Sequence, residues 1–269
     1  MPSVADIREN SDRELTMLTA YDAPMAKIID EADVDMILVG DSLGNTVLGY
    51  DSTLPVTVED VLRHTQAVTR VTEDVLVTAD LPFLSYGVEE SQSIENAGRM
   101  LKEADANAVK LESGDHTVEL TQRLTELGIP VMAHLGLTPQ HVNQIGGFTR
   151  QGTTTEAAER IAEVAEQHEN AGAFSLVLEH VPANVAQHVS EEISIPTIGI
   201  GAGSATDGQV LVIDDIIGIS EYSPPFSKQF GDVRTEMKKA VESFKSSVES
   251  GAFPADEHSY VEEDIDDIY

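Results

Sequence analysis

The chain has 269 residues, 41% of them hydrophobic, enough for a substantial core in one large domain or two small ones. Its 16 basic and 48 acidic residues give a formal charge of −32, which argues against nucleic acid or anionic membrane as partners, since both need clustered Lys and Arg. Without Cys, there are no disulfides, thiolate zinc sites or Cys nucleophile.

Residues 1–12 are polar and acidic, lacking the basic-then-apolar order of a secretory leader. No apolar run approaches the roughly 18 residues that span a bilayer, so a soluble cytoplasmic protein is expected. Short apolar runs then alternate with helix-periodic stretches. Strands are expected at Leu15–Tyr21, Met36–Asp41, Leu76–Asp80, Ala108–Glu112, Val131–Leu135, Leu176–Glu179, Thr197–Ile200 and Val210–Ile213. Met36-Ile37-Leu38-Val39 is apolar throughout, as in a strand buried on both faces. Val58, Val61, Leu62, Thr65 and Val68 follow helical spacing, with Thr57 as a fitting N-cap. Ala158, Ile161, Ala162 and Ala165 repeat that spacing, and Pro182 suits the opening turn of a helix after the sixth strand. This alternation predicts an α/β fold, a single (β/α)₈ TIM barrel over residues 1–255. An acidic tail, 256–269, follows; its charge run is expected to be solvated. Acid-rich composition on an ordinary hydrophobic pattern predicts a halophilic protein that loses structure in dilute buffer, where its self-repulsion is unscreened.

Polar residues interrupt the apolar runs at particular places. Asp41, Asp80, Glu112 and Glu179 end strands, and His134 lies near the end of another. In a parallel barrel these ends converge on the rim that carries the chemistry. One acid there could be an N-cap, as Asp41-Ser42 alone could be, but five interruptions on successive strands are hard to explain as caps. Lys110 shares a face with Glu112. Three readings of it stand open: an ion pair with Glu112, a Schiff-base nucleophile, or a clamp for a substrate carboxylate. The surrounding acids keep it protonated and disfavour the imine. Carboxylates with one candidate His match a hard oxygen-binding cation, Mg²⁺, better than zinc. The alternative is a carboxylate cage balanced by Lys110 alone. Gly199–Gly203 suits either close backbone approach to a ligand or a tight barrel corner.

Several strings resemble one family. They are Asp41-Ser42-Leu43-Gly44, Asp51-Ser52-Thr53-Leu54-Pro55-Val56-Thr57, Ala79-Asp80-Leu81-Pro82-Phe83, Val109-Lys110-Leu111-Glu112, His134-Leu135-Gly136-Leu137-Thr138-Pro139-Gln140 and Gly199-Ile200-Gly201-Ala202-Gly203. In order, from about Leu15 to Pro254, the chain resembles ketopantoate hydroxymethyltransferase. The resemblance implies a barrel of the phosphoenolpyruvate/pyruvate type. It implies transfer of a hydroxymethyl group from 5,10-methylenetetrahydrofolate to 3-methyl-2-oxobutanoate through a Mg²⁺-stabilised enolate, giving 2-dehydropantoate for pantothenate and coenzyme A synthesis. Carried over by position, it makes Asp41 and Asp80 Mg²⁺ ligands that also border the substrate, with Glu112 completing the site through water. Ser42, Lys110 and His134 would hold the keto acid and Glu179 would be the base. It further implies a homo-oligomer, commonly a decamer. Two stretches depart from the family pattern: Pro225 stands where a lysine is usual, and Thr149-Arg150-Gln151-Gly152 only partly follows the basic stretch after Gly146-Gly147.

Two rivals are weighed against this. A carbon–carbon lyase of the same wider barrel group would share the metal–enolate chemistry, but those lyases usually use a Cys that this chain lacks. A non-catalytic scaffold would gain nothing from clustered buried acids. Asp22 is expected to be structural. His64, His116, His141, His168, His180, His188 and His258 are expected at the surface or in packing, with His180 pointing away from Glu179.

Overall fold

The apolar runs form eight parallel strands: β1 (Leu15–Thr19), β2 (Met36–Val39), β3 (Leu76–Asp80), β4 (Ala108–Glu112), β5 (Val131–Gly136), β6 (Ser175–Glu179), β7 (Thr197–Ile200) and β8 (Gly208–Leu211). Each pairs with the next, and β8 pairs back onto β1, closing the barrel in chain order. The computed structural model describes residues 3–9, 13–141 and 149–262, so Gly146-Gly147 and residues 263–269 of the acidic tail lie outside the described residues. The described chain forms two compact units. One runs to Ile213 and takes in Pro225–Ser227; the other comprises Asp214–Pro224 and the residues from Lys228 on. The first holds the barrel.

The helices on the barrel include α1 (Val4–Arg8), α2 (Ala23–Glu31), α3 (Leu43–Thr46), α4 (Val58–Thr69), α5 (Glu90–Ala104), α6 (Val118–Glu126), α7 (Thr155–Asn170) and α8 (Ala183–Glu192). Thr57 caps α4 in a reciprocal capping box with Asp60, satisfying donors that a helix start leaves orphaned. Asp22 caps α2 by accepting from the Met25 N–H, the structural role expected of it. Pro182 stands at the cap of α8, where its missing N–H costs nothing.

Strand periodicity divides the side chains into two layers. Ala133, Leu135, Leu176 and Leu178 face outward and pack under Val164 and Ala165 of α7 and Ala186 and Val189 of α8. Met17, Met36, Leu76, Met132, Val177 and Val210 face inward and form one apolar cluster. Burying a side chain of this size contributes roughly 1.5–3 kcal/mol. Two residues further along β3, β4, β5 and β6 the inward positions become polar, so the interior passes from an apolar floor to a charged mouth.

The opposite end of the barrel shows a recurrent device. The residue just before β2, β4 and β8 is Asp35, Asn107 and Asp207. Each accepts a backbone N–H from the first two residues of the preceding strand, from Thr16, Val77 and Thr197 respectively. Those N–H groups have no ladder partner at the sheet's end, and a short side-chain oxygen satisfies them.

Some strand ends differ from expectation. β1 and β2 each stop two residues early; at β2 the chain leaves the ladder at Gly40 and turns, with Leu43 N–H bonded to Gly40 C=O and Asp41 N–H to the Asp80 side chain. β8 starts two residues early, at the non-apolar pair Gly208-Gln209, since its register is set by pairing with Leu15 and Thr16 of β1. Ile213, expected in the strand, opens a short helix instead, its N–H held by Thr19 Oγ1.

Candidate active site

The polar residues at the strand ends come together. Asp80 lies opposite Lys110 in the β3–β4 register, and Glu112 opposite His134 in β4–β5. Asp41, Asp80, Lys110, Glu112 and His134 are all buried. The Lys110 ammonium sits 2.7 Å from Asp80 Oδ1, so its close partner is Asp80, not Glu112 as one of the readings had it. The reason is reach: Asp80 is alongside on the neighbouring strand. The other oxygen of Asp80 accepts the Asp41 backbone N–H at 2.9 Å, tying the end of β2 to β3.

Lys110 Nζ is also 3.4 Å from His134 Nδ1. An ammonium only donates, so Nδ1 accepts and the ring proton belongs on Nε2. That nitrogen faces Glu179 Oε2 at 3.1 Å but is not aligned for a hydrogen bond. The Glu179 side chain is 17% exposed against 4% for Asp80, so of these two acids it is the one open to the barrel mouth. Ser42 does not cap α3; its hydroxyl lies 2.8 Å from the Tyr21 hydroxyl.

The charge balance is unfavourable without a counterion. Burial, with Asp80 and Glu112 nearby, pushes Asp41 up to about 8, against the opposing pull of Lys110 and the Gln140 amide. Burial works to discharge Lys110, but Asp80 and Asp41 outweigh it and raise its proton affinity. Lys110 therefore stays charged, which disfavours the Schiff-base reading. Among the described residues no group of three or more His, Asp or Glu side chains is placed so as to hold a metal ion by itself. The residues nonetheless suit a hard cation of the open kind, which takes one or two carboxylates and leaves positions for water and substrate oxygens. The donors are all oxygen and acidic, and their mutual repulsion is what a divalent ion would relieve.

Sequence reasoning missed the residues that reach this site from loops. Gln140 donates to Asp41 Oδ2 at 2.9 Å, and Tyr86 accepts from the Glu112 N–H at 3.0 Å. His141 was expected at the surface or in packing, yet its Nδ1 lies 3.2 Å from Glu112 Oε2, which raises its proton affinity. His168, by contrast, is fully buried packing, held by Thr121 and the Gly114 carbonyl. The strand ends at Glu179, and His180 turns at a φ of 49° to pack against Phe226. In the Gly-rich run, Gly203 has a φ of 89° and a Cβ there would meet Ala183, which favours the tight-corner reading at that position.

The model of the ketopantoate hydroxymethyltransferase family matches residues 2–256. The chain belongs to that family. A 3-methyl-2-oxobutanoate hydroxymethyltransferase of Halobacterium salinarum is 65% identical over 274 residues, covering 100% of both chains. The enzyme of that name from Natronomonas pharaonis is 63% identical over 98% of each, and that from Syntrophus aciditrophicus 52% over 92% of each. This ketopantoate hydroxymethyltransferase family member also shares its fold with a phosphonopyruvate hydrolase, at a TM-score of 0.62 and 12% identity over 100% of this chain and 95% of that one. It resembles 2,3-dimethylmalate lyase, described as a PEP mutase/isocitrate lyase superfamily member, at a TM-score of 0.58 and 14% identity over 97% and 93%. The chain thus shares the barrel fold of those two proteins, and its family is one of enzymes.

Proposed function

We propose that the chain transfers a hydroxymethyl group from 5,10-methylenetetrahydrofolate to 3-methyl-2-oxobutanoate, giving 2-dehydropantoate in pantothenate and coenzyme A synthesis. What carries the reading is the joining of full-length family membership to a barrel mouth where Asp41, Asp80, Glu112, Lys110, His134 and Glu179 meet. Asp41 and Asp80 would hold Mg²⁺, with Glu112 acting through water. When bound, Mg²⁺ would supply Lewis acidity, drawing charge from the ketone as the C3 proton leaves.

The chain's own groups do the rest. Lys110, charged and buried, offers an ammonium to the substrate's carboxylate. His134 presents an Nε2 proton without an aligned acceptor, ready to donate to a substrate oxygen. Ser42, oriented by Tyr21, offers a further contact. Glu179, at the mouth, takes the C3 proton, and the substrate carbon attacks the methylene carbon of the folate; both of that carbon's bonds to nitrogen break, water supplies the hydroxyl, and the two nitrogens take up protons to leave tetrahydrofolate. The acidic surface suits a cytoplasm of high salt, and no helix among the described residues is long and apolar enough to cross a membrane.

The proposal extends to a homo-oligomer, as the family resemblance implies.

The direct test of the base is exchange of the C3 proton of the keto acid in deuterated water. Glu179→Gln is expected to bind keto acid as before while exchange stops. Exchange at the native rate would remove Glu179 from the role.

A further inference from the structure

Gln140 lies in the turn after β5 and is buried, and all its side-chain atoms that can hydrogen-bond are used. Its Oε1 accepts from the Tyr86 hydroxyl at 2.9 Å. Its Nε2 donates to Asp41 Oδ2 at 2.9 Å and to the Leu81 carbonyl at 3.0 Å. Its backbone N–H donates to Glu112 Oε1, also at 2.9 Å. One residue therefore holds two carboxylates that belong to different strands.

The direction of this chain of hydrogen bonds is determined. The Glu112 N–H donates to the Tyr86 oxygen at 3.0 Å, and the Tyr86 hydroxyl has Gln140 Oε1 at 2.9 Å as a nearer acceptor than the Glu112 carbonyl at 3.4 Å. With its oxygen so engaged, the amide turns its nitrogen toward Asp41. A flipped amide would set a carbonyl against a carboxylate and an NH₂ against an occupied hydroxyl.

We propose that Gln140, oriented by Tyr86, is the positioning residue that sets Asp41 and Glu112 at their places in the cation site. The inference rests on the Mg²⁺ reading above. Its physical basis is that groups hydrogen-bonded to a carboxylate ligand fix which lone pairs face the metal, and their loss typically weakens binding by about 10- to 100-fold.

The test is calorimetric titration of Mg²⁺ into the full chain at molar salt, on the native protein and on Gln140→Met, Tyr86→Phe and the double variant. Gln140→Met matches the side chain's length without its polar atoms and is expected to bind Mg²⁺ about 10- to 100-fold more weakly. Tyr86→Phe is expected to shift affinity the same way by a smaller factor. The loss in the double variant should be less than the sum of the two single losses, because Tyr86 acts on Asp41 through the amide, although it also holds the Glu112 N–H directly. Electron spin resonance of Mn²⁺ bound at the site adds a readout that a purely structural role would not move: an altered line shape in Gln140→Met at an unchanged melting midpoint. Should Gln140→Met fail to fold, Tyr86→Phe alone decides, and native affinity in it overturns the proposal. Native affinity and line shape in Gln140→Met overturn it as well. A native chain that binds no Mg²⁺ overturns both this inference and the reading beneath it; equal binding by native and variant overturns this inference alone.

Discussion

Asp80 carries two duties at once, as an ion-pair partner of Lys110 and as the acceptor that anchors the Asp41 backbone. Asp80→Ala is therefore expected to abolish Mg²⁺-dependent turnover, a loss of at least about 10³-fold measured by product formation, while circular dichroism still reports a folded barrel. Residual Mg²⁺-dependent activity near the native rate would contradict the placement. This residue, like Lys110, Glu112, His134 and Glu179, was legible in the sequence. A polar side chain at the C-terminal end of an inward-facing row must emerge at the mouth, because the strand period is two and the row begins in the apolar floor. Gln140, Tyr86 and His141 were not legible as site residues. They arrive from irregular segments, where no periodicity says which way a side chain points, and only the fold brings them within reach of Asp41 and Glu112.

Among the elements, the strand starts offer a clean test. Burial opposes the charge of Asp35, but hydrogen bonds from Arg13 and Thr16 outweigh it and hold the carboxyl below its ordinary range. Because the folded value lies below the unfolded one, the stabilisation is present above the unfolded pKa and is lost as pH falls through the folded one. Asp35→Asn is expected to cost about 1.5–3 kcal/mol at neutral pH, the range for hydrogen bonds to a charged group, read from chemical denaturation at molar salt. It should also flatten the acid limb of the stability profile. An Asn variant as stable as the native chain at pH 7 would show that Asp35 contributes nothing there. Gly136, at the end of β5, tests the mouth instead. Its φ is 99°, and a Cβ would lie 2.2 Å from the carbonyl oxygen of Glu179, its partner in the β5–β6 register. Gly136→Ala must displace the backbone that carries Glu179, so proton exchange should fall at least about tenfold, with a loss of roughly 1–3 kcal/mol from strain. Exchange at the native rate would show that the displacement does not reach Glu179. Strand identity was readable because the apolar runs are short and bounded. β8 was misplaced by two residues because Gly208 and Gln209 have no apolar signal, and pairing with β1 sets the register there.

At the scale of the whole molecule, a formal charge of −32 on 269 residues dominates. Unscreened, that charge favours expansion; at molar salt the Debye length falls to about 3 Å and the repulsion collapses to near neighbours. The melting temperature is expected to fall steeply between molar and millimolar salt, and an unchanged value across that range would refute a salt-adapted surface. The barrel itself was legible from eight strand–helix alternations. The central claim is settled by chemistry. Purified chain at molar salt is mixed with 3-methyl-2-oxobutanoate and 5,10-methylenetetrahydrofolate, with and without Mg²⁺, and the products are identified by mass spectrometry. The account predicts 2-dehydropantoate formed one for one with tetrahydrofolate, and only when the divalent ion is present. A folded chain that yields none, or yields as much after thorough chelation, contradicts it.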